Sequence, residues 1–214
     1  MQQTTLYFVR HGETDYNLRR IMQGRRINGP LNNTGRRQAR ALARRFADTP
    51  FDAIYASSLR RAEETAAIIA AHHPDTPFHT LDALQEMSWG VYEGQPAQQV
   101  ADAFDAITAS WQEGRFEERV EGGESILEVQ QRALEAMDHI LSHHAGEQVL
   151  VVTHGRFLRV LLATLLDDYG LKRMQDIQHA NTAVNRILHT GGGYEADLLN
   201  CTAHLDEVET IMVE

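Results

Sequence analysis

The chain has 214 residues, of which 43% are hydrophobic, and its formal net charge is −10. This length predicts one domain with a sizeable core. The acidic balance argues against nucleic acid and anionic membrane surfaces as partners, and no apolar run is long enough to predict a membrane span.

Charge is distributed unevenly along the chain. Residues 1–45 carry ten arginines against Glu13 and Asp15, a local balance of +8, which leaves −18 on the remaining residues to reach the total of −10. A basic cluster on an acidic protein suits a small anionic substrate. Arg10, Arg25 and Arg26 lie near glycine-rich turns and are candidates for binding it. Five others are expected only to solvate one helix, namely Arg36, Arg37, Arg40, Arg44 and Arg45.

The first five residues lack the positive segment and the long apolar segment of a signal peptide. Cys201 is the single cysteine, so no internal disulfide can form, and we expect it to act as a small hydrophobic residue. Both features predict a cytoplasmic protein. Its state of assembly, monomer or homodimer, is left open by the sequence.

The first predicted element is a strand at residues 6–9, where four apolar or aromatic residues run without a break. It ends on Arg10, His11 and Gly12. Such an ending places a cation and a nucleophilic imidazole at the edge of the sheet, where open α/β sheets bind ligands. A solvated arginine and a surface histidine would produce the same tripeptide, so the motif needs support from elsewhere in the chain.

The loop over residues 13–33 is rich in Asn, Gly and Arg. Loops beside the ligand end of a strand commonly carry binding groups. The amides of Asn17 and Gln23 could bind a ligand or could serve only in turns, and the sequence favours neither alternative. Thr34 is predicted to cap a helix that ends at Phe46.

A second strand is predicted at residues 51–56, and Ser57 or Ser58 then caps the next helix. Arg61 lies in the first turn of that helix, where a positive charge opposes the helix dipole. A positive charge at this position would be stabilised if an anion lies between Arg61 and the exposed amides of the helix N-terminus. Its neighbour Arg60 faces elsewhere and is expected to be solvated.

After a third strand at residues 78–81, two glycines and two aromatic residues mark an ordered loop around Glu86. A carboxyl group among apolar and aromatic side chains tends to have a raised pKa, as a general acid requires. An ordinary exposed glutamate is the equal alternative, and Glu93 is the rival candidate for the acid. We interpret residues 86–123, with one or two helices, as an insertion that forms a lid over the ligand edge of the sheet.

Ser125 and Glu128 match a capping box that opens a long helix. The strand predicted at 149–153 is apolar and β-branched, ends on His154 and Gly155, and leads directly into another helix. His154 therefore lies at a helix N-terminus, where anions bind. Two buried strands that both end in His-Gly are hard to explain by packing alone.

The last predicted element is a hairpin over residues 182–200, joined by three glycines. The order of the elements predicts a three-layer α/β/α fold, in which a mostly parallel central sheet of about six strands has one antiparallel edge. The helical lid belongs to the same single domain, which we expect to span residues 1–214.

The predicted constellation combines histidines with arginines at one edge of the sheet. Arginines bind phosphate in a bidentate manner, and a neutral histidine held by a backbone carbonyl can attack phosphorus. Glu86 would protonate the leaving alkoxide, and Arg10, Arg61 and His154 would stabilise the transferring phosphoryl group. The chain has no His-Glu-x-x-His motif and no cysteine pair, so we do not expect a catalytic metal, and it has no phosphate-binding loop.

The chain resembles the histidine phosphatase superfamily, also called phosphoglycerate-mutase-like, in five motifs that keep the family order. They are Val9-Arg10-His11-Gly12-Glu13-Thr14, Ser57-Ser58-Leu59-Arg60-Arg61-Ala62 with Thr65-Ala66, Leu84-Gln85-Glu86 leading to Gly90 and Glu93-Gly94, Gly122-Gly123-Glu124-Ser125, and Val152-Thr153-His154-Gly155.

The resemblance implies a phosphohistidine intermediate at His11 and Glu86 as proton donor and acceptor. It also implies a small phosphorylated substrate and no cofactor or metal. The residues it assigns to the phosphate pocket are Arg10, Asn17, Arg61 and His154. The further residues assigned to phosphate or substrate contacts are Gln23, Gly24 and Gly155.

Three features resemble the broad-specificity phosphatase branch, namely the segment 92–95, the short insertion and the ending at 200–205. Glycolytic mutases carry a longer, arginine-bearing insertion that this chain lacks. Residues 27–30 depart from the acidic turn usual in the family, so we do not carry over the substrate contacts of that loop. The first hypothesis is a phosphomonoesterase, the second is a phosphoglycerate mutase, and the third is a non-catalytic phosphate-binding module.

Overall fold

The computed structural model describes residues 3–206, and a six-stranded sheet lies at the centre of that region. The strands are β1 Thr4–Arg10, β2 Ala53–Ser57, β3 Phe78–Leu81, β4 Gln148–Thr153, β5 Val184–Thr190 and β6 Gly193–Cys201. In the order β3-β2-β4-β1-β5-β6, the first four strands are mutually parallel, and β5 pairs antiparallel with both β1 and β6. The predicted mixed sheet with an antiparallel edge is confirmed.

Helices cover both faces of the sheet. They are α1 Asp15–Leu18, α2 Asn33–Phe46, α3 Arg60–Ala70, α4 Ala101–Gln112, α5 Ile126–His143 and α6 Gly155–Leu165. Short 3-10 turns lie at Asp82–Leu84, Gly90–Tyr92, Ala97–Val100, Leu171–Asp176 and Ala203–Leu205. α2 and α3 share a core with Val9 and Ile54 on one face, and α5 and α6 share another with Leu6 and Phe8. The three-layer α/β/α fold is therefore confirmed.

The register of β1 against β4 brings the two His-Gly sequences together. Arg10 is paired with Thr153, and the His11 amide donates to the carbonyl oxygen of Thr153 over 3.0 Å. Parallel neighbours end at the same edge of a sheet, so His11 and His154 leave it side by side.

The N-terminus of α2 differs from the prediction. Asn32, and not Thr34, is the cap, since its Oδ1 accepts a hydrogen bond from the Gly35 amide over 2.8 Å. Both residue types can cap a helix, and the backbone of the preceding loop decides which one does. The capping box of Ser125 and Glu128 at α5 is confirmed.

The start of α3 also differs from the prediction, because neither serine caps it. The helix begins at Arg60, and Leu59 at its N-cap offers no side-chain hydrogen bond. The Ser57 hydroxyl accepts instead from the Leu59 amide over 3.2 Å, and Ser58 donates to the carboxylate of Asp82. Ser57 is thereby left facing the end of β4 rather than the helix.

The segment 86–123 packs on the loop that follows β1. The Met22 amide donates to the Gln95 carbonyl oxygen over 2.9 Å. At its base, Gly90 has a φ of +53°, and a Cβ there would lie 2.0 Å from the carbonyl oxygen of Glu121. Only glycine therefore lets the two ends of the segment approach one another. Its action as a lid stays a prediction.

Two predictions made from the composition concern membrane-spanning helices and the role of Cys201. None of the helices within residues 3–206 combines the length and apolarity that a bilayer-crossing helix needs. Cys201 is a half-buried free thiol at the end of β6, and Arg45 donates from Nη1 to its Sγ over 3.3 Å. The thiol therefore has a polar partner, which its expected role as a small hydrophobic residue did not include.

Candidate active site

His11 follows β1 and is almost fully buried. Its Nδ1 lies 2.7 Å from the carbonyl oxygen of Gly12, which can only accept, so Nδ1 carries the proton and Nε2 has the lone pair. Burial lowers the pKa of His11 well below its usual value of 6.5, and the charges of Arg61 and Arg10 lower it further. The ring is therefore neutral near neutral pH, the form in which histidine is a nucleophile.

Arg61 reaches His11 from the first turn of α3. Its Nε donates to Nε2 of His11 over 3.2 Å, while Nη1 and Nη2 donate to the carbonyl oxygens of Ile27 and Gly24 over 3.0 and 3.2 Å. Burial lowers the pKa of Arg61 to about 10, so the guanidinium stays charged. Gly24 thus contacts Arg61 through its carbonyl group. The neighbouring Arg60 side chain is exposed, as predicted.

Two residues that the sequence analysis did not assign to the site hold the backbone around His11. Oγ1 of Thr65 accepts a hydrogen bond from the Gly12 amide over 3.0 Å. Nδ2 of Asn181 donates a hydrogen bond to the carbonyl oxygen of His11 over 2.9 Å. Thr65 belongs to one of the family motifs, so the sequence did contain a signal that this residue could belong to the site. Asn181 lies in the loop before β5 and has no local signal, because its contact joins residues 170 positions apart in the sequence.

His154 is the N-cap residue of α6 and is fully buried. Its ring centroid lies 5.1 Å from that of His11, and its Nε2 lies 2.7 Å from Oγ of Ser57. Burial lowers the pKa of His154 well below 6.5, and the charge of Arg61 adds to this effect. Its Nδ1 is buried without a hydrogen-bond partner among the described residues. Burial of a polar atom without a hydrogen-bond partner costs free energy unless a ligand supplies that partner.

Arg10 approaches the same space from the end of β1. Its Nη1 donates to the carbonyl oxygen of His179 over 2.9 Å, and its buried Nε has no partner among the described residues. A Cβ on Gly155 would lie 3.4 Å from Nε of Arg10 and 3.1 Å from Nε2 of His179. Glycine at position 155 therefore leaves room for the Arg10 guanidinium beside His154.

The carboxylate of Glu86 lies against the N-terminus of α6. Its Oε1 accepts from the amides of Met87 and Phe157 over 2.9 Å each, and its Oε2 accepts from the Arg156 amide over 3.1 Å. Backbone N–H groups and the helix dipole thus face the carboxylate, which the apolar and aromatic surroundings expected for Glu86 did not include. These contacts place Glu86 beside His154.

Glu93, the rival candidate, is engaged in holding loops together. Its Oε1 accepts from the Ser88 hydroxyl and the Trp89 amide over 3.1 and 3.0 Å, and its Oε2 accepts from the Arg26 amide over 2.8 Å. A Cβ on Gly24 would lie 2.3 Å from Oε1 of Glu93. The carboxylate therefore joins the loop after β1 to the base of the segment 86–123.

Asn17 and Gln23 both bond to Thr14, three residues beyond His11. Oδ1 of Asn17 accepts from the Thr14 amide and hydroxyl over 3.1 and 3.0 Å, and Nε2 of Gln23 donates to Oγ1 of Thr14 over 2.9 Å. These contacts are the turn chemistry that was the alternative to ligand binding for both residues. Their role in phosphate binding stays a prediction.

The sequence profile of the histidine phosphatase superfamily (branch 1) matches residues 6–202. The chain belongs to the histidine phosphatase superfamily. The resemblance inferred from the five motifs is thereby confirmed, and the chain is an enzyme of this family.

Relatives of this histidine phosphatase cover nearly its whole length. The putative phosphoserine phosphatase 2 of Hydrogenobacter thermophilus is 32% identical over 199 residues, which cover 93% of this chain and 96% of that protein. The probable phosphoglycerate mutase GpmB of Yersinia pestis is 33% identical over 208 residues, or 94% of each chain. The solved structure of Bacillus stearothermophilus YhfR has a TM-score of 0.84 at 35% identity and covers 94% of this chain and 99% of that one.

The histidine phosphatase structure brings five predicted residues to one edge of the sheet, namely Arg10, His11, Arg61, Glu86 and His154. Within residues 3–206, no three His, Cys, Asp or Glu side chains are grouped as a metal site requires. The site is instead rich in cationic N–H donors, which suit an oxyanion.

Proposed function

We propose that the chain is a phosphomonoester hydrolase that acts on small phosphorylated metabolites through a phosphohistidine at His11. The observation that carries the proposal is the hydrogen bonding of the buried His11 ring, in which Nδ1 faces the Gly12 carbonyl oxygen and Nε2 faces the guanidinium of Arg61. Phosphoryl transfer to histidine requires a neutral nucleophile and cationic surroundings.

Substrate binding would use the donors that converge on Nε2 of His11. The phosphate dianion would accept hydrogen bonds from Arg61 and from the buried Nε of Arg10. The Ser57 hydroxyl already accepts from the Leu59 amide, so its own proton is available for Nε2 of His154. In that tautomer Nδ1 of His154 carries a proton and donates to the phosphate.

In the first chemical step, Nε2 of His11 attacks phosphorus, an N–P bond forms and the P–O bond to the leaving alcohol breaks. Protonated Glu86 gives its proton to the leaving oxygen. The Gly12 carbonyl oxygen, bonded to Nδ1–H, stabilises the positive charge that develops on the ring. The amides of residues 156 and 157 stabilise the Glu86 carboxylate that remains.

In the second step, water attacks the phosphorus of phosphohistidine. Its proton passes to the Glu86 carboxylate, an O–P bond forms, and the electrons of the N–P bond return to Nε2 of His11. Inorganic phosphate leaves, and both residues regain their starting forms. The cycle needs no metal or cofactor, because arginines supply the positive charge.

The segment 86–123 belongs to this proposal as a lid. It packs on the loop after β1, and its Trp89 ring lies 5.3 Å from the guanidinium carbon of Arg156, next to the site. A closed lid would exclude bulk water during phosphoryl transfer to His11. We further propose that the enzyme works in the cytoplasm, as a monomer or homodimer.

The decisive experiment follows phosphate release and the phosphoenzyme together. The wild type should release phosphate from 4-nitrophenyl phosphate and form an acid-labile, base-stable phosphoenzyme. His11→Asn should abolish both, whereas His143→Asn, at an exposed position of α5, should change neither. Full turnover by His11→Asn would refute the role of His11.

A phosphoglycerate mutase is the second candidate, because one relative of high coverage carries that name. It would pass the phosphoryl group from His11 to a second hydroxyl rather than to water. Strong phosphoryl transfer with 2,3-bisphosphoglycerate, with little release, would favour the mutase. Binding of phosphate without either reaction would favour the third hypothesis, a non-catalytic phosphate-binding module.

A further inference from the structure

Two arginines hold the backbone of Glu86. Nε of Arg25 donates to the Glu86 carbonyl oxygen over 3.3 Å, and Nη2 of Arg132 donates to the same oxygen over 3.2 Å. The two arginines come from distant parts of the chain, the loop after β1 and helix α5. Neither takes part in the proposed chemical steps, so their meeting at the proposed acid indicates a role in its placement.

Arg132 also binds the backbone that precedes Glu86. Its Nη1 donates to the carbonyl oxygens of Ala83 and Gln85 over 2.8 and 2.6 Å. Its guanidinium carbon lies 5.1 Å from the ring centroid of Phe157, the residue whose amide donates to Oε1 of Glu86. Arg132 therefore contacts both the backbone of the acid and a residue that binds its carboxylate.

The carboxylate of Glu124 joins the two arginines. Its Oε1 accepts from Nη2 of Arg25 over 2.8 Å and from Nε of Arg132 over 3.0 Å, and its Oε2 accepts from the Ser88 amide over 2.8 Å. Two guanidinium groups that share one carbonyl oxygen repel each other, and a carboxylate between them offsets this repulsion. Arg25, Glu124 and Arg132 thus form one connected unit, here called the Arg–Glu–Arg bridge.

The loop that carries Arg25 also holds the nucleophile. Arg61, whose Nε donates to Nε2 of His11, donates from its other two nitrogens to the carbonyl oxygens of Gly24 and Ile27. These two carbonyl groups lie on either side of Arg25 in the chain. One short loop is therefore bonded to both the nucleophile side and the acid side of the site, and it fixes the position of one relative to the other.

The contacts of Arg25 favour positioning over direct binding of the substrate, for which the sequence made it a candidate. Its Nε and Nη2 both donate within the protein, to the Glu86 carbonyl oxygen and to the Glu124 carboxylate. An arginine whose charge is already paired with a carboxylate has less attraction left for a substrate anion. The role that remains for Arg25 is to hold the proposed acid.

We propose that Arg25, Glu124 and Arg132 are positioning residues, which hold the Glu86 carboxyl group against the N-terminus of α6 and direct it at the leaving oxygen. The inference rests on the proposed phosphomonoesterase and adds to its acid step three residues that do not touch the substrate. A proton donor acts only within hydrogen-bond distance of the oxygen that it protonates, and a displacement of about 1 Å can cost about 10²-fold in rate.

The kinetic test uses two substrates that differ in their need for the acid. Arg25→Gln and Glu124→Gln should lower kcat/KM about tenfold to 10²-fold for propyl phosphate, and much less for 4-nitrophenyl phosphate, whose leaving group needs no proton. A variant that merely contains less folded protein loses both activities in the same proportion. Arg119→Gln is the matched control and should keep both values, because Arg119 forms an exposed ion pair with Glu128 at the start of α5.

Double variants show whether the bridge acts through Glu86. In the Glu86→Gln background, Arg25→Gln should cause no further loss with propyl phosphate, because the proton donor is already absent. Losses that multiply in the double variant would overturn the inference. Arg132→Gln should behave like Arg25→Gln, and if the buried Arg132 proves necessary for folding, Arg25→Gln carries the test, since its side chain is 33% exposed.

Amide NMR separates this inference from the proposed function, because it needs no turnover. The amides of residues 156 and 157 donate to the Glu86 carboxylate, so Glu86→Gln should shift their signals. Arg25→Gln and Glu124→Gln should shift the same two signals, and the control variant should not.

Two outcomes decide between the two proposals. Shifts of these amide signals in a protein that neither turns over phosphomonoesters nor forms a phosphoenzyme would refute the phosphatase and support the bridge. In an active phosphatase, unshifted amide signals in the bridge variants, or an equal loss of kcat/KM with both substrates, would overturn the bridge and leave the phosphatase in place.

Discussion

Nε of Arg61 donates a hydrogen bond to Nε2 of His11 over 3.2 Å. A guanidinium can only donate, so this contact requires a lone pair on Nε2. The contact between Nδ1 and the Gly12 carbonyl oxygen requires the proton on the other nitrogen. Two contacts from different elements therefore select one neutral tautomer of His11, and that tautomer presents the attacking nitrogen.

The first prediction concerns the protonation of His11. Burial and the charges of Arg61 and Arg10 lower its pKa well below 6.5, so the ring should remain neutral with Nδ1 protonated at pH 6. Nitrogen-15 NMR of the imidazole distinguishes this tautomer from the cation. The urea-unfolded chain is the control, in which histidines titrate near 6.5. A protonated His11 ring at pH 6 in the folded protein would contradict the prediction.

The second prediction concerns the proton that Glu86 gives to the leaving group. Glu86→Gln should reduce kcat/KM, which reports the phosphorylation of His11 and not the later hydrolysis, by about 10²- to 10⁴-fold for alkyl phosphates. The loss should be much smaller for 4-nitrophenyl phosphate because its leaving group needs no proton. Glu93→Gln is the matched control, since Glu93 holds loops and should slow both substrates alike. An equal loss of kcat/KM for both substrates in Glu86→Gln would remove Glu86 from the acid role.

The third prediction concerns the serine that orients His154. Ser57→Ala removes the partner of Nε2 and frees the ring to adopt either tautomer, so kcat/KM should fall about tenfold. Ser58→Ala is the control from the adjacent position, where the hydroxyl contacts Asp82 and Gln85 instead. A comparable loss in both variants would show that local loop structure, and not His154, is responsible.

The fourth prediction concerns the stability of the fold in acid. Burial lowers the pKa of His204 to about 4, and the charge of Arg45 adds to this effect, whereas the unfolded value is near 6.5. The unfolded chain therefore binds more protons below pH 6.5, and stability that is complete above that pH is lost as the pH falls toward 4.

Urea denaturation at pH 7 and pH 5 measures this loss. His204→Gln should show a smaller drop in the free energy of unfolding than the wild type, by about 1 kcal/mol after allowance for solvent screening. Nδ1 of His204 lies 3.3 Å from Nη1 of Arg45, so a proton there would face a cation. An unchanged drop would mean that His204 does not contribute to the acid sensitivity.

The fifth prediction concerns the close approach of α2 to the end of β1. A Cβ on Gly35 would lie 2.1 Å from the carbonyl oxygen of Glu13, which is backbone and cannot move away cheaply. Gly35→Ala should therefore destabilise the fold by about 1–3 kcal/mol and misplace His11. Gly192→Ala, whose Cβ would make an ordinary contact of 3.6 Å with Thr190, should leave the melting temperature unchanged.

Local pattern was enough for the strands, the layers and the two His-Gly sequences. Apolar runs that stop at a histidine predict buried strands and their ligand edge, because burial on both faces of a sheet demands continuous apolar residues. The residues at which the helices begin were harder to predict. Asn32 and Thr34 are both good caps, and only the path of the loop decided between them.

The surroundings of Glu86, and the packing of Arg156 against Trp89, were decided by tertiary structure alone. Glu86 meets the amide of Phe157 across 71 positions of sequence, and Arg156 meets Trp89 only because the segment 86–123 packs beside α6. Sequence patterns report which residues are buried and where the chain turns, since these depend on near neighbours. Which donor faces which acceptor depends on sheet register and on the packing of distant segments, and no local pattern carries that information.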